Sequence, residues 1–328
     1  MTKGTFVISL DMELYWGMRD RRSLDSYRER ILGVRQALPR MLEAFDRHGV
    51  KATFATVGLL FFGEREDLIA DLPLERPSYD RPALSPYNGH IDTIGADEDS
   101  DPFHFGSRLV QLVLDHPGHE IACHTFSHYY CLERGQTEAQ FVADLRAARA
   151  VAQRKGIVLK SFVFPRNQYN QQYLACCARE GILAYRGNER SWLYAARDRE
   201  SESRLRRALR LLDTWIPLTG ANTHPLPDPA SGLPYDLPSS RFLRPWTPRY
   251  SVLEGLKRKR ITGAMDNAAR RGELFHLWWH PHNFGKHLEE NMATLHHILA
   301  HYAALHQAGR MENRTMGDLA EQIRAGHG

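Results

Sequence analysis

The chain has 328 residues, of which 42% are hydrophobic and 25% are charged, so it can bury a large core and disorder is not expected. No stretch approaches the roughly 20 consecutive apolar residues of a membrane-spanning helix, and the first residues lack the apolar run of a secretory leader. The net charge of +4 is mild and no aromatic-interleaved basic stripe accompanies it, which disfavours nucleic acid as a partner. These features predict a cytoplasmic protein without an integral membrane segment, whose four cysteines are reduced and mostly buried.

Strands and helices alternate from the start of the chain. The apolar run 5–10 predicts a buried strand, apolar positions at helical spacing over 26–48 predict a helix, and 51–57 predicts a second strand. Such a βαβ start implies a parallel sheet with right-handed crossovers. The alternation continues with strands in EIACHTF, SFVFP, LAYRG and 272–280, and with helices over 105–115, 137–155, 169–180 and 288–308. Six or more βα units favour an α/β barrel over an open sheet.

Two long stretches interrupt this alternation. Residues 71–102 and the proline-rich 220–248 are too long for simple turns, and they are predicted to be rim loops that shape a substrate pocket. Basic runs at 199–210 and 256–260 are explained either by a solvated face or by attraction to an anionic nucleotide-sugar or lipid-phosphate group. Residues 1–328 are expected to form one catalytic domain.

Histidines and acids follow two of the predicted strands. His124 and His128 lie in HTFSH, and on a helical turn their spacing brings both imidazoles to one side, as a divalent metal requires. Asp11 and Glu13 are two residues apart, so both carboxylates project to the same face of extended backbone. Loop acids, helix caps or a chance pair of exposed histidines would explain either feature alone. Two acids at the end of a buried strand are costly without a cation, so a carboxylate with two histidines predicts a metal site with open positions.

Two further strand ends carry polar groups. In FVFPRNQYN, Arg166 is predicted to hold a catalytic carboxylate ionised unless it is a surface residue, and backbone N–H groups at Asn167 and Gln168 are predicted to face an oxyanion. In ELFHLWWHPHNFG, His280 suits a general acid that protonates a leaving amine. His276 is interpreted as a core histidine, whereas His282 and His287 have no assigned role.

These four segments, in this order, resemble the polysaccharide deacetylase family, also called the NodB-homology or carbohydrate esterase family four group, from about residue 5 to 285. HTFSH matches the family's H-[ST]-x-x-H metal motif fully. The first motif departs from the family pattern of adjacent aspartates, because Met12 separates Asp11 from Glu13, and Pro165 precedes Arg166 where the family has arginine ahead of a proline-aromatic pair. The resemblance implies a deformed (β/α) barrel with long rim loops.

The resemblance also implies roles for these residues. Glu13, His124 and His128 would hold the metal, Asp11 would be the general base, and His280 the acid, although Asp11 and Glu13 could exchange roles. Asp213 and Trp215 occupy about the place of the motif that supports this histidine and lines the acyl pocket. The metal would acidify a water that attacks the amide, giving a carboxylate and an amino sugar. Zinc is expected, with cobalt, nickel, manganese and iron as alternatives.

The substrate implied is a small N-acetylated or N-formylated sugar. Without an export signal, a nucleotide- or lipid-linked intermediate of lipopolysaccharide, O-antigen or capsule biosynthesis is the expected form. Aromatic side chains are either core or stacked on sugar faces; those considered are Trp16, Phe103, Trp192 and Trp246. Two alternatives stay open: a hydrolase of a small non-sugar amide, as in allantoinase-like relatives, and a catalytically silent carbohydrate-binding protein.

Overall fold

The computed structural model describes residues 3–191, 193–194 and 204–326. Nine strands lie in this part of the chain: β1 (Gly4–Met12), β2 (Thr53–Thr56), β3 (Glu120–Cys123), β4 (Ser161–Phe162), β5 (Ala184–Tyr185), β6 (Tyr235–Asp236), β7 (Arg241–Phe242), β8 (Leu274–Trp279) and β9 (Met311–Asn313). The α-helices described there are α1 (Leu24–Arg47), α2 (Arg65–Ala70), α3 (Ser107–Leu114), α4 (Glu138–Arg154), α5 (Gln171–Arg179), α6 (Arg204–Leu212), α7 (Glu254–Arg271), α8 (Leu288–Gln307) and α9 (Met316–Ala325).

The strands form one parallel sheet that curls into a barrel. Their order is β6-β5-β4-β3-β2-β1-β8-β7. Strand β9 also pairs with β1, at its first three residues, which precede the residues of β1 that pair with β2. Residues 237–240 cross the remaining gap: Leu237 N–H donates to Tyr185 O in β5, and Ser240 N–H donates to His276 O in β8. The α/β barrel that the alternation of elements predicted is confirmed.

The prediction that residues 220–248 form a rim loop is wrong. Residues 220–248 contain β6 and β7, the two ends of the sheet, so this segment closes the barrel instead of lying on its rim. Strands of two residues in a proline-rich segment leave no alternation for a sequence pattern to detect. Helix α7, over the basic run at 256–260, was also not predicted. Residues 71–102 do contain no strand and no long helix.

Apolar residues on the two faces of the strands build two clusters. Phe6, Ile8 and Leu10 of β1 pack in the large cluster under the helices, whereas Val7 belongs to a smaller cluster with interior residues of β2 to β5. Helix α9 adds Leu319 to this smaller cluster, and its first turn binds the starts of β2 and β3. The helix therefore plugs the amino end of the barrel, which leaves the carboxyl end open for a site.

Other expectations for the core are met. The four cysteines are free and buried, and His276 is fully buried in β8.

None of the described helices has both the length and the apolar character that crossing a membrane requires.

Buried histidines should make the stability of the fold sensitive to acid. His119 tests this expectation, because it lies at the amino end of β3, away from the carboxyl ends of the strands. Its side chain is 1% exposed, and its Nδ1 accepts a hydrogen bond from Ala52 N–H at 3.0 Å. Burial lowers the pKa of His119 to about 4, whereas an unfolded histidine takes up a proton near about pH 6.5. The unfolded chain thus binds more protons in this window, and stability is lost as the pH falls.

We expect His119→Asn to flatten the fall in the free energy of unfolding between about pH 6.5 and pH 5, by about 1–2 kcal/mol. Urea denaturation at both pH values measures this difference. Parallel pH dependences for the two proteins would contradict the expectation. His276 and His282, whose pKa values burial lowers to about 3, keep part of the dependence in the variant.

Candidate active site

Three side chains from the carboxyl ends of β1 and β3 converge in the interior. Glu13, His124 and His128 are all buried, and one ligand atom from each lies within 4.8 Å of the others. Glu13 Oε2 is 3.0 Å from His128 Nε2 and 3.5 Å from His124 Nε2. Burial opposes ionisation of Glu13, but the nearby His280, His124 and His128 hold its pKa well below the usual range. The cluster is therefore an anionic group with two imidazoles.

Hydrogen bonds to the outer nitrogens direct both Nε2 atoms toward Glu13, where they could bind a cation. His124 Nδ1 lies 2.7 Å from the carbonyl oxygen of Val163, to which it donates. His128 Nδ1 lies 3.1 Å from Tyr130 Oη, and that hydroxyl donates to Asp20. His124 Nε2 is buried and makes no hydrogen bond to any described residue. A buried lone pair without a donor, beside a carboxylate, fits a divalent metal held by these three residues.

The HTFSH segment differs from the expected helical turn. Thr125 (φ 63°) and His128 (φ 58°) are left-handed, so the backbone folds irregularly between the two histidines. The carboxylate of Asp144, buried on α4, holds this turn by accepting Phe126 N–H at 2.6 Å and Ser127 N–H at 3.1 Å. Left-handed backbone in residues other than glycine carries strain, which is tolerated where surrounding contacts fix a functional group.

Asp11 is held by an arginine that the sequence did not single out. Arg186, which follows β5, donates to Asp11 with both terminal nitrogens, at 2.6 and 2.8 Å. Burial opposes ionisation of Asp11, but the charge and hydrogen bonds of Arg186 lower the pKa of the carboxyl. Arg186 is itself fixed by Ser9 Oγ at 3.0 Å, and Ser9 Oγ lies 2.8 Å from His276 Nε2.

The predicted position of Arg166 is therefore wrong. Its guanidinium forms ion pairs with Asp20 and Glu133 and stacks on the Tyr130 ring at 3.8 Å. Both arginines follow a buried strand, and the sequence contained no signal for which of them meets Asp11. Arg166 instead supports the residues that orient His128.

The backbone donors expected at Asn167 and Gln168 are also already used. Asn167 N–H donates to Phe164 O at 2.9 Å and Gln168 N–H to Pro165 O at 3.2 Å, within a 3-10 turn. These groups therefore do not face an oxyanion. The Asn167 side chain has a different contact, because its Oδ1 accepts from Arg186 at 3.0 Å.

His280 lies where the sequence placed it, at the carboxyl end of β8. Its Nε2 is 3.5 Å from Glu13 Oε1 and 3.8 Å from Asp11 Oδ2, and its side chain is 23% exposed. His282 is fully buried beside it, with ring centroids 5.1 Å apart, and burial lowers its pKa to about 3. A cavity of about 740 Å³, here called the site cavity, is lined by Asp11, Glu13, His128 and His280.

The residues expected to support His280 lie elsewhere. Asp213 is fully buried and pairs with Arg241 and Arg260, and the Trp215 ring packs on Tyr250. Arg241 and Arg260 line a smaller cavity that adjoins the site cavity, so Asp213 acts on that second cavity and not on His280.

The aromatic residues considered for sugar stacking are mostly core. Trp16 is fully buried, with its Nε1 donating to His104 O, and Phe103 is buried under Arg28. Trp246 is half-buried against His287. Trp192 lies outside the described residues. Trp278 was not considered, yet its indole lines both cavities.

Comparisons with known proteins agree with this fold. Residues 32–184 match the family model described as polysaccharide deacetylase. A protein assigned as a polysaccharide deacetylase from Mycobacterium smegmatis superposes with a TM-score of 0.59 and 16% identity, over 99% of this chain and 92% of that chain. A second protein with the same assignment, from Pseudomonas aeruginosa PAO1, superposes with a TM-score of 0.56 and 13% identity, over 98% of this chain and 91% of that chain. A structure described as Puue allantoinase superposes with a TM-score of 0.56 and 12% identity, over 98% of this chain and 91% of that chain. No curated protein matches the chain.

The family model matches just under half of this chain, and the barrel is similar to the folds of solved proteins assigned as polysaccharide deacetylases. The description of this family model names deacetylases that act on acetylated sugars. At 12–16% identity, the superpositions establish the fold and leave the substrate open.

Proposed function

We propose that this protein is a metal-dependent deacylase that hydrolyses the amide of an N-acetylated or N-formylated sugar. The observation that carries the proposal is the convergence of Glu13, His124 and His128 beside Asp11 and His280 at the mouth of one cavity. The proposed substrate is an N-acylated sugar linked to a nucleotide or lipid, as an intermediate of lipopolysaccharide, O-antigen or capsule biosynthesis in the cytoplasm. Residues 1–328 would act as one catalytic domain.

The geometry of the site supports the proposed roles. Glu13, His124 and His128 would hold a divalent cation, which we propose to be zinc, and this cation would polarise the amide carbonyl and lower the pKa of water. Asp11, kept ionised by Arg186, accepts the proton of the attacking water. His280 donates a proton to the nitrogen as the C–N bond breaks. The C–O bond formed by water gives a carboxylate, and the sugar leaves as an amine.

Arg186 and Asn167 are proposed to position Asp11 and not to contact the reacting atoms. Arg186 links the Asp11 carboxylate to the Asn167 side chain, since it donates hydrogen bonds to both. Arg166 acts through Asp20 and Tyr130 on the outer nitrogen of His128. Neither arginine is a metal ligand.

Elemental analysis and acyl release, measured on the same samples, test the proposal. The wild-type protein is expected to carry about one metal per chain and to release acetate or formate from amino-sugar derivatives. The double variant His124→Ala, His128→Ala should lose both, because removing two of three ligands abolishes a site of this kind. A matched double variant, His297→Ala with His301→Ala, removes histidines of the same spacing on α8 and should keep both.

The outcomes separate the alternatives. Metal without any acyl release from sugars, but with hydrolysis of a small non-sugar amide, would favour an allantoinase-like activity, for which the superposition on the allantoinase fold is the supporting observation. Metal without any hydrolysis would indicate a silent binding protein. Absence of metal after incubation with zinc, cobalt, nickel, manganese and iron would refute the proposed mechanism.

A further inference from the structure

A second cavity adjoins the site cavity and has an unusual charge. It measures about 360 Å³, and His280 and Trp278 line both cavities. Six of the side chains around it are cations: Arg166, Arg210, Arg241, Arg244, Lys257 and Arg260. No acidic residue is among the described side chains that line it. We call this cavity the arginine pocket.

The carboxylates behind the pocket do not balance these cations. Arg241 and Arg260 share the single carboxylate of Asp213, at 2.8 and 2.7 Å. Glu189 lies 3.6 Å from Arg241, but burial raises the pKa of Glu189 to about 8, so it is mostly protonated near neutral pH. The pair of arginines therefore keeps a net positive charge.

Two further observations show unused donors. The Nε–H groups of Arg241 and Arg260 are buried and make no hydrogen bond within the described part of the chain, and the two side chains are 4% and 5% exposed. Arg244 donates from Nε to Thr214 Oγ1 at 3.2 Å, and no carboxylate of the described residues lies within ion-pair distance of it. Lys257, the other cation on this side, pairs with Glu254 at 2.8 Å.

Cations that are taken out of water without a matching anion destabilise a fold. A pocket that gathers them beside a catalytic centre is explained when an anion of the substrate completes the charge balance. A carboxylate offers one charge on two oxygens, whereas a phosphoryl group offers up to two charges on three oxygens and therefore suits a site with several guanidinium groups.

We propose that the arginine pocket binds a phosphoryl group of the substrate while the amide lies in the site cavity, with Arg244, Arg241 and Arg260 as its donors. This inference rests on the proposed function for the position of the amide, but the affinity of the pocket for phosphate is independent of it. His280 then stands between the phosphoryl group and the amide, since it lines both cavities.

Arg244→Gln is the variant that tests the pocket, because removing Arg244 leaves no buried carboxylate without a partner. Isothermal titration calorimetry would measure the binding of inorganic phosphate to the wild-type protein and to the His124→Ala, His128→Ala variant, where phosphate cannot bind a metal held by those histidines. In both backgrounds Arg244→Gln should weaken phosphate binding about tenfold or more, the effect of losing hydrogen bonds to a charged group. Lys259→Gln, an exposed lysine on α7, should not change it.

A second measurement links the pocket to the substrate. For N-acetylglucosamine 1-phosphate and N-acetylglucosamine, Arg244→Gln should raise KM for the phosphorylated sugar about tenfold and leave KM for the plain sugar unchanged. Equal effects on the two sugars would overturn the assignment to a substrate phosphoryl group. Absence of phosphate binding, or binding that Arg244→Gln does not weaken, would overturn the pocket itself, as would tighter binding of acetate than of phosphate. If phosphate binds as expected but no sugar is hydrolysed, the pocket stands and the proposed function fails.

Discussion

Replacement of Arg186 by glutamine is expected to lower the free energy of unfolding by about 3 kcal/mol or more and to reduce acyl release by about 100-fold. Arg186 is 1% exposed and makes two hydrogen bonds to the buried carboxylate of Asp11. Removing one partner of a buried ion pair leaves an uncompensated charge, which costs about 3–5 kcal/mol. Urea denaturation measures the first effect, and kcat/KM for acyl release measures the second.

The pH profile distinguishes a positioning role from a purely structural one. Arg186 lowers the pKa of Asp11, so the acidic limb of the kcat/KM profile should move to higher pH in Arg186→Gln. Arg186→Lys should restore part of this shift, because lysine supplies the charge without the paired geometry. Arg166→Gln is the matched control and should leave the limb in place, since Arg166 contacts Asp20 and Glu133. A larger shift in Arg166→Gln than in Arg186→Gln would contradict the assignment.

Replacing Asp11 by asparagine should abolish most of the activity while the metal stays bound. The amide keeps the shape of the carboxylate but cannot accept a proton, and loss of a general base costs about 10²–10⁴-fold in kcat. Glu13→Gln should instead lose metal, because Glu13 is the acid whose oxygen lies beside both His124 and His128. Metal content and acyl release, measured for both variants, therefore assign the two acids.

The opposite result for the two variants would contradict the proposed roles of Asp11 and Glu13. If Asp11→Asn loses metal and Glu13→Gln keeps it, the roles of base and ligand are exchanged and Arg186 supports a ligand. His280→Gln serves as a companion variant that should retain metal and lower kcat, since its Nε2 stands 3.5 Å or more from both carboxylates and its proposed part is proton donation to the amine.

The sequence by itself determined the barrel and most members of the candidate site. Asp11 lies near the carboxyl end of β1, and Glu13, His124 and His280 come directly after β1, β3 and β8. The carboxyl ends of parallel strands meet at one edge of a sheet. Apolar runs and helical spacing are local properties, so β1, α1, β2, α4 and α8 were predicted within a few residues. The HTFSH motif was specific because its spacing lies within five residues of chain.

Only the tertiary structure decided which arginine meets Asp11. Arg166 and Arg186 follow neighbouring strands and are equivalent as sequence signals, but Arg186 lies over Ser9 and His276 in the interior, whereas Asp20 and Glu133 attract Arg166. The proposed phosphate donors of the arginine pocket likewise come from β7, α7 and the segment between them, and the sequence shows them only as scattered basic residues. Contacts between residues far apart in the chain depend on packing, and no local spacing encodes them.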